Sequence, residues 1–403
     1  MGDCQCRALA VDIAAHVLAS HYDDETYTTP FSRWAQGVNK TVVHVITGLG
    51  TGGAERMLVQ LAEAAQARGF PQHVVSLNGG GPFADSLRGQ NIPVTDLGMT
   101  SFVSVPAGLF KLIRLIHRLS PGVVQGWMYH GNLFAALAHR MAPGAKSRAL
   151  FWGLRASNMD AKRYSRIMRL SAWLSSWPDI VIANSESGAA FHQAQGFRPR
   201  RVVIIDNGID SAIFRSDQIE RNAVRAELGI APDAPVVIHV ARVDPMKDHQ
   251  TFLKAMAKVP SVTALMVGSG TDRLAAPPNV KALGLRQDMA RLYAAADIVV
   301  SSSAFGEGFS NAIAEGMSAG LVPIATDVGD ARRIIGDTGY IVRPADADAI
   351  AEAIKQECIS TKERIEKGAR ARMRIVRNFT AAHSLEAFSS LYQDIPERLR
   401  PSN

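Results

Sequence analysis

The chain has 403 residues, of which 47% are hydrophobic and 20% charged, and a formal net charge of +7. That length and balance exclude a disordered or fibrous chain and predict about two globular domains. No run of about eighteen apolar residues occurs, so a spanning helix is excluded. Cys4, Cys6 and Cys358 are too few for a disulfide framework or a four-ligand zinc site, and no basic segment leads into an apolar leader, so a cytoplasmic protein is expected.

Residues 1–40 do not read as part of a sheet and are expected to form an N-terminal appendage. Thr41–Thr47 (TVVHVIT) is β-rich; GLGTGG and an amphipathic helix, Ala54–Arg68, follow. Strand, glycine-rich turn and helix open a doubly wound α/β domain. Gly48, Gly50 and Gly53 satisfy G-x-G-x-x-G, but a dinucleotide site wants an acid at the end of the second strand. His73–Leu77 runs instead into Asn78-Gly79-Gly80. Strands are expected at Ile92–Asp96, Val123–Gly126, Arg148–Trp152, Asp179–Ala183 and Val202–Ile205, alternating with helices as in a parallel sheet.

Gly108–Leu119 (GLFKLIRLIHRL) carries an apolar stripe beside Lys111, Arg114, His117 and Arg118. Such a helix packs on a sheet or lies on an anionic membrane surface. A second basic segment spans Lys162–Arg169. His130 and Asn132 follow a strand end, at the carboxyl edge where α/β folds bind ligands; Arg155 and Asn158 follow another and are acceptor candidates. Residues 41–205 hold 17 Lys and Arg against 7 Asp and Glu. This excess predicts an anionic partner; no nucleic-acid motif accompanies it, and lipid headgroups or a lipid diphosphate suit it better.

Asn207-Gly208 is a turn signal that places a domain boundary between 41–207 and 208–380. The strand Val236–Val240 leads into ARVDPMKD, which supplies Arg242, Lys247 and a capping Asp248. Further strands are expected at Ala264–Val267, Val280–Leu285, Leu321–Ala325 and Gly339–Val342. Asp346 and Asp348 read as capping acids before the helix Ala349–Glu357. The stretch Phe305–Gly320 (FGEGFSNAIAEGMSAG) holds the most chemistry. Gly306 and Gly308 flank Glu307, and Ser310 is placed to cap a mostly apolar helix, Ser310–Ala319, that carries Glu315. The start of that helix suits a phosphate and the two carboxylates suit hydroxyls. A nucleotide sugar has both.

The block EGFSNAIAEGMSAGLVPIATDVGD, with seven residues between Glu307 and Glu315, resembles the E-x7-E signature of retaining glycosyltransferases of family 4 (group 1). ARVDPMKD, VKALGL, the H-x-N at 130–132 and VVIIDNGIDSAIF are similar to further segments of that family, so the resemblance covers about residues 41–395. It implies the GT-B fold, two Rossmann-like doubly wound α/β domains facing across a cleft, with residues 381–403 crossing back to the first. It implies a UDP- or GDP-sugar donor. Arg242, Lys247 and the N–H groups of Gly308, Phe309, Ser310 and Asn311 would hold its diphosphate, Leu283 its base, Glu315 its ribose and Glu307 its sugar. His130 would meet the transferred sugar, and Gly52 and Gly53 would face phosphates and acceptor. No metal or other cofactor is expected. The implied acceptor is a glycan or a polyprenyl-diphosphate-linked glycan for cell-surface, capsule or exopolysaccharide synthesis, reached from the inner face of an anionic membrane. An epimerase of the same fold, which needs no acceptor, and a non-catalytic nucleotide-sugar binder are the alternatives.

Overall fold

The computed structural model describes residues 41–50, 52–67, 70–155 and 161–393. Asn158, Cys4, Cys6 and the appendage expected at 1–40 lie outside them. The described chain forms two units, one of residues 41–208 with 381–393 and one of 209–380.

The N-terminal unit runs β1 (Val42–Ile46), α1 (Gly53–Ala67), β2 (Gln72–Ser76), α2 (Pro82–Gly89), β3 (Val94–Asp96), α3 (Val105–Leu119), β4 (Val123–Trp127), α4 (Met128–Met141), β5 (Ala149–Leu154), α5 (Ala161–Leu174), β6 (Ile180–Ala183), α6 (Glu186–Ala194) and β7 (Val202–Ile204). Its seven strands lie in the order β3-β2-β1-β4-β5-β6-β7, every pair parallel. Helices cover both faces, so the central strands are buried throughout. The polar exceptions are paired: Trp127 Nε1–H donates to His44 Nδ1 at 3.1 Å, and His44 Nε2–H donates to Gln72 Oε1 at 2.8 Å.

The C-terminal unit runs α7 (Gln218–Glu227), β8 (Val236–Val240), α8 (His249–Ala257), β9 (Thr263–Val267), β10 (Val280–Gly284), α9 (Met289–Ala295), β11 (Ile298–Ser301), α10 (Asn311–Ser318), β12 (Val322–Thr326), α11 (Ala331–Ile335), β13 (Tyr340–Val342), α12 (Ala347–Ile359) and α13 (Thr361–Asn378). Its parallel six-stranded sheet has the order β10-β9-β8-β11-β12-β13. The chain then returns to the N-terminal unit as α14 (Ala381–Gln393), where Leu385, Phe388, Leu391 and Tyr392 join the core. Phe388 stacks on Trp127 at 6.1 Å, Tyr392 stacks on Phe151 at 6.0 Å, and the Tyr392 hydroxyl donates to Gln125 Oε1 at 2.5 Å.

Element bounds move from the sequence reading by one to three residues, with local causes. The third strand starts at Val94 because Pro93 has no N–H for the ladder. Helix α3 starts at Val105, three residues before Gly108, because Pro106 suits a first turn. Gly108 lies inside it, where a Cβ would come within 2.3 Å of Met99. The apolar side of α3 packs on the sheet through Leu112, Leu115 and Ile116. Among the described residues no helix is long and apolar enough to cross a membrane.

Candidate functional site

In the C-terminal sheet, β8 and β11 are neighbours although β9 and β10 intervene in sequence. Chain connections therefore diverge from this point to either side, and the carboxyl ends of such strands leave a crevice for ligands. Residues 241–248 leave β8 there, and residues 302–310 leave β11. The two loops are tied to each other. Ala304 N–H donates to Met246 C=O at 2.9 Å, and the Ser302 hydroxyl reaches the carbonyls of Lys247 and Asp248 at 2.9 and 3.1 Å. Behind them the Thr326 hydroxyl donates to Ser303 C=O at 2.6 Å and Asp330 N–H to Gly308 C=O at 3.2 Å. Gly329, at φ +63°, lets this backing loop sit close: a Cβ would lie 2.5 Å from the Glu307 carbonyl oxygen.

The framework joins the separately read residues Lys247 and Glu307. Lys247 Nζ forms an ion pair with Glu307 Oε1, and the Ser303 hydroxyl donates to the same oxygen at 2.6 Å. The pair is mostly buried, with side chains 19% and 12% exposed, so its charges are far less screened than surface charges. Arg242 differs. Its side chain is 64% exposed and pairs with Asp244 at 3.0 Å, while Asp244 accepts Met246 N–H at 3.0 Å.

Glu315 lies on α10, 7% exposed. The Tyr293 hydroxyl, from α9, lies 3.1 Å from Glu315 Oε2 and 3.2 Å from Ala312 C=O. Phe309 is buried against Phe379 at 5.6 Å, which leaves its backbone, not its ring, to face a ligand. Ser310 stands at the N-cap position, but its hydroxyl makes no capping bond, so the expected cap is corrected: α10 opens at Asn311 without one. Leu283, on β10, is half-buried against the C-terminal core. Asp346 does cap its helix, accepting Ala349 N–H at 2.9 Å, and Asp348 pairs with Lys258, so both acids serve the local fold.

In the N-terminal unit the sheet diverges between β1 and β4, and the glycine turn and His130 follow those two strands. Gly52 and Gly53 are exposed at the start of α1, where Gly52 C=O accepts Arg56 N–H at 3.0 Å. His130 sits in the first turn of α4, half-buried, and burial holds its imidazole below the usual range. Met128 begins that turn at φ +63°, a sparsely populated conformation for a residue with a side chain.

Of the acceptor candidates, Asn132 is committed to the fold, and Arg155 is held in it through Nη1 and the plane of its guanidinium. Asn132 is 1% exposed; its Nδ2 donates to Gly153 C=O at 3.1 Å and its Oδ1 accepts Gly153 N–H at 3.0 Å, clipping α4 to β5. Arg155 lies over the rings of Trp127 and Phe388 at 4.9 and 5.4 Å and donates to Asn207 Oδ1 at 3.1 Å. Burial lowers its pKa to about 10. Sequence reasoning missed Ser303, Ser302 and Tyr293, whose hydroxyls bond to the candidate residues and their loops. Among the described residues no group of three His, Cys, Asp or Glu is placed to hold a metal ion.

Residues 51–212 match the family model Glycosyltransferase Family 4, and residues 234–358 match Glycosyl transferases group 1. The D-inositol 3-phosphate glycosyltransferase of Mycobacterium sp. (strain KMS) is 33% identical over 187 residues, which cover 41% of each chain. This chain thus spans about two fifths of the length of the mycobacterial relatives it matches. Among solved structures, Anabaena Alr3699/HepE in complex with UDP superposes with a TM-score of 0.76 at 23% identity, over 88% of this chain and 100% of that one. The same protein has been solved with UDP-glucose. A glycosyltransferase from Rickettsia africae reaches a TM-score of 0.72 at 17% identity, over 90% of this chain and 99% of that one.

Proposed function

Because the chain belongs to the family 4 (group 1) glycosyltransferases of GT-B fold, we propose that it moves a sugar from a UDP- or GDP-sugar to a glycan or polyprenyl-diphosphate-linked acceptor, with retention at the anomeric carbon. The observation that carries this reading is the pair of tied loops at the divergence of the C-terminal sheet, holding Lys247 and Glu307 next to the start of α10. The departing diphosphate gathers negative charge, which fixed cations and N–H dipoles stabilise most strongly where water is scarce. Lys247, Arg242 and the N–H groups of residues 308–311 take that role. A donor offers each member of the ion pair a new partner: phosphate for Lys247, sugar hydroxyls for Glu307. Glu315 takes the ribose hydroxyls, Leu283 packs near the base, and His130 meets the transferred sugar as a neutral imidazole. The leaving phosphate accepts the proton of the attacking hydroxyl on the same face, so no residue serves as an obligatory base. The UDP and UDP-glucose complexes of the Anabaena protein favour UDP as the first nucleotide to test.

The test measures the melting temperature with UDP and GDP, followed by turnover of their sugars with a polyprenyl-diphosphate acceptor. Nucleotide at a hundredfold excess over its Kd stabilises the native state by about 2.7 kcal/mol. Turnover should survive EDTA; loss that magnesium restores would overturn metal independence. Sugar interconversion without acceptor would favour the epimerase, and binding without turnover the non-catalytic reading.

A further inference from the structure

We propose that His239 and Ser302 are positioning residues for the phosphate-binding lysine: a hydrogen-bond relay from the His239 ring through the Ser302 hydroxyl fixes the peptide that aims Lys247. This inference rests on Lys247 as the cation for the donor diphosphate. It gives neither His239 nor Ser302 a contact with the donor.

His239 interrupts β8 (VVIHV), a strand otherwise built of valine and isoleucine, and its ring is buried. The ring stacks on Phe252 of α8 at 4.4 Å and meets His249 edge-on at 4.9 Å. A phenyl ring would pack there without the cost of burying polar nitrogens. What the imidazole adds is Nε2, 3.1 Å from Ser302 Oγ. Ser302 is fully buried just past β11, and its oxygen also lies 2.9 Å from Lys247 C=O and 3.1 Å from Asp248 C=O. The direction of each bond follows from what each atom can give. Carbonyls only accept, so the single hydroxyl hydrogen is turned to them. The hydroxyl oxygen therefore accepts from the ring, and Nε2 carries the hydrogen. Burial, with Lys247 and His249 close by, keeps the imidazole neutral, so this is its one N–H.

The relay ends on the peptide that sets the direction of Lys247. Lys247 closes a single 3-10 turn, Pro245–Lys247, and Asp248 follows at φ +44° and ψ +58°, a left-handed conformation that few residues with side chains adopt. Thr251 holds Asp248 from one side, its N–H and hydroxyl donating to the carboxylate at 3.2 and 2.6 Å. Ser302 holds the same turn through its two carbonyls. With the main chain fixed there, the Lys247 ammonium meets Glu307. The two serines thus divide the ion pair between them: Ser302 grips the main chain of Lys247, and Ser303 grips the carboxylate of Glu307. His249 secures the start of the loop, where its Nε2–H donates to Ala241 C=O at 3.2 Å.

The experiment titrates the full chain with UDP and GDP, and with uridine and guanosine, and follows whichever diphosphate binds more tightly together with its nucleoside. Ser302→Ala and His239→Phe should each weaken the diphosphate at least about tenfold, because a displaced cation loses most of its contact. The nucleoside, which has no phosphate, should bind within about twofold of the wild-type affinity, since the base and ribose contacts are untouched. His239→Gln, which keeps an N–H near the Nε2 position, should restore most of the diphosphate affinity that His239→Phe loses. In a Lys247→Ala background neither Ser302→Ala nor His239→Phe should weaken the diphosphate further, because the side chain they aim is gone. Ser302→Ala removes a single oxygen and serves as the test even where the His239 variants fold poorly. If Lys247→Ala weakens the diphosphate and Ser302→Ala does not, the relay is overturned while the lysine keeps its role. Equal loss of diphosphate and nucleoside, or losses that add in the Lys247→Ala background, would overturn it too, because general damage to the unit has that effect. Unchanged diphosphate affinity in Lys247→Ala alone would overturn the phosphate role of the lysine, and the relay with it.

Discussion

Lys247 and Glu307 lie sixty residues apart in sequence, and each was legible only as one member of its own short motif. Their pairing, and the Ser303 hydroxyl beneath it, arise from two strands that become neighbours only when the sheet assembles. The same holds for Tyr293 and Glu315, where nothing local marks the tyrosine. Lys247→Ala should lower kcat at least a hundredfold, about 3 kcal/mol of transition-state stabilisation, and should reduce the UDP-induced melting shift. Full activity would remove the lysine from the phosphate role. Asn132 was legible as a polar residue at a strand end, but its burial was not, and its chemistry changes with that fact. Asn132→Ala leaves Gly153 N–H and C=O without their side-chain partner and should cost about 2–4 kcal/mol of stability. Denaturant titration should show the loss while UDP still binds, since the loops assigned to the nucleotide belong to the other unit.

Elements were far more legible than contacts. The strand–helix alternation, the parallel sheets and the helix after Gly308 all follow from runs of β-branched residues broken by glycine, and the structure has them. What periodicity could not reveal is how closely the loops after the strands approach each other. Gly268, at φ +146°, sits where a Cβ would come within 2.0 Å of the Ala241 carbonyl oxygen and 2.8 Å of Arg242 N. The turn after β9 thereby supports the segment that carries Arg242. Gly268→Ala combines backbone strain with a clash against backbone that has nowhere to go. It should destabilise the C-terminal unit by about 3 kcal/mol or more and abolish nucleotide binding in whatever fraction stays folded. Normal UDP affinity in this variant would show that the turn does not hold the Arg242 segment in place. Ser310 illustrates the opposite failure: its type and position match a cap, yet the geometry does not use it.

At the scale of the whole molecule, histidines set the response to acid. His44, His73, His130, His139, His192, His239 and His249 are all held below the usual imidazole range, chiefly by burial. For His44 the pKa is lowered to about 4, and both ring nitrogens are committed to a neutral tautomer by Trp127 and Gln72. The unfolded chain takes up these protons first, so their contribution to stability is complete above about pH 6.5 and is lost as pH falls below it. His44 alone corresponds to about 3 kcal/mol between pH 6.5 and 4. Urea midpoints should therefore hold level from pH 7.5 to about 6.5 and fall steadily from there to pH 4.5, and a profile flat throughout would contradict the burial of these rings. The path of the chain also orders its folding during synthesis. Residues 209–380 are contiguous and can collapse as soon as they leave the ribosome, whereas Trp127 and Phe151 must wait for partners from α14, made after them. The half translated first is thus the half finished last, and until then its aromatic floor stands open to chaperones and to aggregation.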